Sequence, residues 1–572
     1  MNTGKHKFYS TTLKAFPLYG ILLFCFALLI VPALAQSQPK MSSRILLIPL
    51  DDRPPCLQFP VRMGAIGDAE IVTPPRELLG RFTEFGKPAE IIAWVKKQNL
   101  QSFDAAIVSV DMLAYGGLVA MRVHETDDAT AMRRLAVVRE MRSLAPKLKI
   151  YASSVIMRLA PTGSVVNEAY RENLAKWAEI SVDETQKAQT EKLEKLIPAE
   201  ALADYKTARV RDLKINRASI QLVKDKVFDY LILSQDDAKP KGIHVADREN
   251  LIAESRRLNL SEKIAVQPGA DEVSMLLLGR ALTDKYNYRP KIKAIYSAEQ
   301  IADRVMPYED RPLRQTVSFH IKAVGATEVG SEAEADILFY VFASRFEAGK
   351  ANKFVQEIYD RFYQIPANCK ETLKSLCMPR KPFIVADVDP KGDVQGGDVV
   401  FTEQLKSRAL FAVISGYASW NTAGNTIGTA LPHGVLYNLS AHLLRLKPKN
   451  VSKARGREIY QFSNRVEQAQ TWFLLNRLLD DYVYHTLVRP EAMKFAKAKE
   501  WNVFRFNDQQ TKAVEEFSSP KVEEKAWQNL NSINTVGSST MVCDELKTFD
   551  FSLPWGRTFE AEIDFQLICR NL

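Results

Sequence analysis

Short runs rich in Val, Ile and Leu recur along this chain, separated by stretches whose apolar residues return at helical spacing. "RILLIPL" (44–50), "AEIVTP", "FDAAIVSV" (103–110), "KLKIYASSVIM", "VFDYLILS" and "EKIAVQP" read as buried strands. Helical segments are expected at "PAEIIAWVKKQ", at about 126–144, within 164–226, around 247–258 and at 271–284. Hairpin turn signals are missing between the strands, so βαβ units and a mainly parallel sheet are expected. From about 290 the pattern restarts with "KIKAIYS", "TVSFHIKAV", "ADILFYVFA", "PFIVADV" and "LFAVISGY". "TVSFHIKAVGATEV" alternates in polarity and is expected as a sheet-edge strand. Residues 452–530 read as helical, with "EQAQTWFLLNRLLDDYVYHTL" the strongest amphipathic stretch. The tail alternates around a Pro/Gly turn, which predicts a β-hairpin.

The expected fold class is therefore α/β and mainly parallel. It comprises a barrel-like (TIM-like) or Rossmann-like N-terminal domain over 41–290 and a second α/β unit over 291–450. A helical region over 451–530 and a small β-module over 531–572 follow. A chain of 572 residues is too long for one core, which accords with several domains. At its start, Lys5, Lys7 and Lys14 precede "FPLYGILLFCFALLIVPALA", and Ala33-Leu34-Ala35 fits a cleavage site. Residues 1–35 thus read as a secretory signal, with an uncleaved anchor as the alternative. The expected location is the periplasm or the outside, with no stable membrane partner once the signal is removed.

Charge adds little. The +9 of the full chain falls when three signal lysines leave without any acid, and no basic, aromatic-interleaved stripe remains. Nucleic-acid binding has no footprint in this sequence. Cys56, Cys369, Cys377, Cys543 and Cys569 follow the signal. Export permits disulfides, with Cys369–Cys377 and Cys543–Cys569 as candidate pairs and Cys56 left over. No zinc-binding spacing, G-x-S-x-G elbow or G-x-G-x-x-G turn occurs, so no cofactor and no structural metal is expected.

In parallel α/β folds, ligands bind outside the C-terminal ends of the strands. Here those ends are polar. "ILLIPL" runs into Asp51-Asp52-Arg53, "AAIVSV" into Asp111 and Tyr115, and "YASSVIM" into Arg158. "YLILS" runs into Gln235-Asp236-Asp237 with His244 beyond, and "IAVQPG" into Asp271-Glu272. "FIVAD" leads to Asp387 and Asp389, and "FAVISGYAS" to Trp420, Asn421 and Asn425. Singly, each has a plain structural role; Asp271, for example, fits the N-cap of the next helix. Together they describe a cleft.

The ordered motifs "PLDDRP", "SVDMLAYGGLVAMR", "QDDAKPKGIH", "GADE", "WNTAGNTIG" and "LPWGRTFE" resemble a bacterial family, domain of unknown function 4127. The resemblance spans nearly the whole mature chain. Met121 stands where the family usually has Ser, and Asp52 where it often has Glu. It implies a shared site without naming a reaction.

An acidic cleft with amides and aromatics in an exported protein suits hydrolysis of glycosidic bonds in amino-sugar or other bacterial or plant glycans. That chemistry needs a protonated carboxyl and a second carboxylate. Asp236/Asp237 and Asp271/Glu272 are the candidate catalytic pairs. Asp51, Asp52, Arg53, Asp111, Tyr115, Arg158, Gln235, His244, Asn421 and Asn425 would bind substrate, and Trp420 would stack on a sugar. Neighbouring side chains on extended backbone diverge, so Asp236 and Asp237 share a ligand only if the chain bends there. Two alternatives use the same cleft. One is a hydrolase or lyase with Asp51, Asp111, Asp236 and Asp271 holding Mg²⁺, Mn²⁺ or Ca²⁺. The other is a non-catalytic glycan or small-molecule binder.

Overall fold

Successive apolar residues of "SRILLI" point to opposite faces of a strand, and both faces are covered. In the computed structural model Ile45 and Leu47 enter one hydrophobic core, while Leu46 and Ile48 enter another. An unbroken apolar run is what such a doubly covered parallel strand requires. The structure describes residues 41–164, 166–343, 349–363, 381–388, 396–447, 452–534 and 541–571. The expected signal, the Cys369–Cys377 pair and Asp389 lie outside them.

Six parallel strands form the first sheet: β1 (Ser43–Ile48), β2 (Ala69–Val72), β3 (Ala105–Ser109), β4 (Lys149–Ile156), β5 (Tyr230–Gln235) and β6 (Ile264–Pro268). Their order is β2-β1-β3-β4-β5-β6. The second sheet has β7 (Lys291–Tyr296), β8 (Thr327–Glu328), β9 (Ile337–Phe342), β10 (Phe383–Asp387) and β11 (Gly416–Ala418), ordered β8-β7-β9-β10-β11. Both sheets are parallel, open and share one winding order, so the α/β, mainly parallel expectation holds in its Rossmann-like form. Among the described residues neither sheet closes into a barrel, and the TIM-like alternative falls away.

"TVSFHIKA" corrects a second expectation. It forms the helix Leu313–Ala323, whose buried residues include Leu313, Thr316, Val317, His320 and Ile321. That three-and-four spacing outweighs the local alternation. The edge strand shrinks to Thr327–Glu328.

The helices Val273–Lys285 and Ala423–Arg445 pack in one core with residues of both sheets. Residues 41–572 accordingly make one compact unit. The α-helix Lys453–Arg477 continues as a π-helix, Leu478–Val488. An antiparallel hairpin, β12 (Met541–Ser552) with β13 (Glu562–Asn571), closes the chain. Cys543 faces Cys569 across it, and the two form a disulfide. Trp472 Nε1 and Asn476 Nδ2 donate to the Phe565 and Ile563 carbonyls at 2.9 and 2.7 Å, which docks the hairpin on the helices. Among the described residues no helix is long and apolar enough to cross a membrane.

Candidate functional site

Strand ends β1, β4, β5 and β6 of the first sheet and β11 of the second deliver residues to one cavity of about 590 Å³. Arg53, Arg158, Asp236, Asp237, Asp271, Asn421 and Asn425 line it. The bend that Asp236 and Asp237 require lies at Asp237, whose φ of +20° departs from the extended strand. Both carboxylates therefore reach the same space.

Arginines organise these acids. Arg53 is buried and grips Asp51 with Nη2 at 2.7 Å and Asp271 with Nη2 and Nη1 at 2.7 and 3.2 Å. Its guanidinium also lies 4.5 Å from the Trp555 ring. Arg122 donates to Asp236 at 2.5 Å and to Thr162 at 2.8 Å, and Arg158 donates to Asp237 at 2.5 Å. Arg122 reaches its place through the turn Gly116–Gly117, where φ is +102° and +111°. A Cβ on Gly116 would meet the Gly86 carbonyl at 2.6 Å, so the family-like glycine pair is a steric necessity here.

The acids divide into two electrostatic kinds. Burial pushes the Asp236 carboxyl up, but Arg122, Arg158 and Arg53 outweigh it and hold it below the ordinary range. Burial raises Asp271 to about 7 despite Arg53, helped by the charges of Asp51, Asp236 and Glu272. A third acid, Glu309, also lines the cavity, and burial raises it to about 8. Its Oε1 accepts the Gly424 N–H at 2.8 Å, while its buried Oε2 has no hydrogen-bond partner. Sequence reasoning missed Glu309 because it follows no apolar run. It sits in the loop 305–312, pinned by the Val305–Pro312 bridge and by the Ala238 N–H donating to the Tyr308 carbonyl at 2.9 Å.

The remaining nominated residues stand behind the wall. Glu272 is fully buried, accepts from Asn425 Nδ2 at 2.7 Å and lies 3.4 Å from His320 Nε2. Asn425 in turn accepts from Asn421 at 2.8 Å, so Glu272 positions the two amides instead of meeting a ligand. It, and not Asp271, occupies the N-cap of the helix Val273–Lys285, without a side-chain cap. Asp52 accepts from Trp555 Nε1 at 2.6 Å. Asp111 accepts the Val155 N–H at 2.9 Å, and Tyr115 is buried beneath Arg211. Gln235 donates to the Ile156 and Asp236 carbonyls, tying two strand ends together. His244 is buried, lowered to about 4 by burial and by Arg209, and lies 2.9 Å from the Lys239 carbonyl, closing its own loop. Asp387 accepts the Asp398 N–H at 2.5 Å.

Trp420 is no stacking platform either. It packs edge-on against Phe59, and its Nε1 donates to Thr429. Aromatic faces come from elsewhere: Phe82, Trp555 and Phe559 line the cavity with the exposed Tyr308 and Phe504. Trp555 and Phe559 belong to "LPWGRTFE", so the last motif of the chain meets the first, "PLDDRP", at Arg53 and Asp52. That long-range meeting has no local sequence signal.

The four aspartates of the metal alternative are already engaged by Arg53, Arg122 or a backbone N–H. Among the described residues no three His, Cys, Asp or Glu side chains are grouped to hold an ion.

A family model described as "Protein of unknown function (DUF4127)" matches residues 45–564. Neither curated proteins nor solved structures yield a match.

Proposed function

The chain belongs to the DUF4127 family of proteins of unknown function, and from its cavity we propose that it is an exported hydrolase of glycosidic bonds acting by carboxylate acid and base catalysis. One observation carries the reading: Glu309, on the cavity wall, has one carboxyl oxygen satisfied by a backbone N–H and the other buried without a partner. A carboxyl kept neutral there carries its proton on Oε2, since Oε1 already accepts. The oxygen of a departing sugar is the acceptor that Oε2 lacks. Asp236, held ionised by its arginines, supplies negative charge for an oxocarbenium-like transition state. Asp237 is the exposed neighbour that can reach the anomeric carbon or a water. Keeping one acid protonated and another ionised on one cavity is the separation this chemistry needs. The aromatic rim offers faces for sugar rings, and the Cys543–Cys569 disulfide accords with export.

The test is turnover of a panel of chromogenic glycosides, including N-acetylhexosaminides and glucuronides, by the native protein and Glu309→Gln. Hydrolysis by the native chain, lost by about 10²–10⁴-fold in a variant that still folds cooperatively, is expected. No turnover of neutral, amino or acidic sugars overturns the proposal and leaves a binding protein.

A further inference from the structure

The cavity carries more cationic side chains than glycosidic chemistry requires. Three of them, Arg122, Arg158 and Arg171, gather on one wall with Thr162, Gly163 and Ser164. Each is anchored by a short-range acceptor: Arg122 by Thr162 at 2.8 Å, Arg158 by the Ala160 carbonyl at 2.8 Å and Arg171 by the Pro161 carbonyl at 3.0 Å. Arg158 repels both others, and burial joined by that repulsion lowers Arg122 to about 10 and shifts Arg171 downward. Among the described residues two carboxylates are paired with the three, Asp236 with Arg122 and Asp237 with Arg158, and Arg171 has no ion pair. Glu168 and Glu172 lie on the same cavity and are exposed; the charges of Glu172 and Asp237 act on Arg171 without outweighing burial and Arg158.

Like charges fixed together beside a cavity cost stability, and of the three guanidiniums Arg171 is left without a carboxylate in contact among the described residues. Guanidinium groups held by backbone carbonyls are preorganised forks for an oxyanion. We propose that this wall is a subsite for a singly charged oxyanion, so that the substrate is an acidic saccharide carrying a carboxylate or a sulfate. The inference rests on the glycosidic reading for the word saccharide; the oxyanion subsite itself stands on the arginine geometry. One guanidinium without a carboxylate in contact suits a monoanion. A uronate and a sulfated sugar share that chemistry, and the probes separate them.

The experiment is calorimetric titration of the full chain carrying Glu309→Gln, which binds without turning over, with glucuronate, glucose 6-sulfate and glucose. At least one acidic sugar is expected to bind about tenfold or more tightly than glucose, the size of one charge-assisted hydrogen bond, and to weaken as salt is raised. Whichever acid wins identifies the group. Adding Arg171→Gln should abolish that preference without lowering the thermal midpoint, and Arg171→Lys should restore part of it. Should the Gln variant fail to fold, the salt dependence and the acid-to-neutral ratio of the parent decide alone. Acidic and neutral sugars binding equally, or no acidic sugar binding, overturns the subsite. Preference for the acid with no glycoside turned over by the native protein retains the subsite and removes the hydrolase reading. Turnover of neutral glycosides unaffected by Arg171→Gln does the reverse.

Discussion

Glu309 concentrates the chemistry of the site in one side chain. Its carboxyl is raised to about 8, so the folded chain keeps a proton that an unfolded chain releases near the ordinary value of 4.5. Between those values the native state binds more protons, and stability must fall as pH rises. Glu309→Gln removes that portion of the fall. Melting curves across the window should show the variant gaining on the parent as pH increases; a constant difference would contradict it. Activity that depends on the protonated acid should decline as pH rises through about 8, giving the alkaline limb of the rate profile. Asp236 behaves oppositely, because its partner is a buried arginine. Arg122→Met leaves that buried carboxylate without its hydrogen-bonded arginine, with Arg158 and Arg53 still acting on it, and should cost about 3 kcal/mol in denaturant unfolding, partly recovered by adding Asp236→Asn. These two acids also mark the reach of sequence reasoning. Asp236 ends an apolar strand and was visible by that position. Glu309, in a loop that follows no apolar strand, had no pattern to announce it.

At the scale of elements, the site depends on how segments are turned into the cavity. Gly117 shows this in a form that can be measured. Its φ of +111° is unfavourable for any residue with a Cβ, and that atom would lie 2.9 Å from the Leu50 carbonyl. Gly117→Ala should lower stability by about 1–3 kcal/mol. Gly330→Ala is the control, since nothing lies within 4 Å of the added atom and φ there is not positive; it should stay within about 0.5 kcal/mol. Equal effects at both positions would refute the steric account. The π-helix Leu478–Val488 has a comparable positioning role. Its Asp481 accepts the Ser419 N–H at 2.7 Å, one residue before Trp420 and two before Asn421. Strands were legible because a doubly covered strand must be apolar on both faces. The helix Leu313–Ala323 was misread because its hydrophobic stripe also alternates locally, and the longer period decides only once neighbours cover it.

Across the whole molecule, the repeated winding order suggests two halves, yet the packing joins them. The core that holds Ile45 and Ile107 of the first sheet also holds Phe339 and Ile384 of the second, with Leu277 and Leu431 from the helices between. The cavity repeats that arrangement: Asp271 follows the first sheet, Asn421 the second, and Trp555 arrives from the terminal hairpin. Long-range meetings of this kind are where a sequence is silent, because each partner looks locally like a surface loop. A cut near residue 290 would expose the apolar face of the helix Val273–Lys285, whose buried residues run from Val273 to Thr283 with few interruptions. Fragment 41–290 should therefore stay unfolded or aggregate when expressed alone, and residues 41–572 should melt in one calorimetric transition. The disulfide-linked hairpin belongs to the same cooperative unit through Trp472 and Asn476. Two resolved transitions, or a soluble 41–290 fragment with dispersed amide resonances, would show that the sheets are separable domains. The shared cavity would then form by docking of two independent parts, and the affinity of its ligands would depend on that interface.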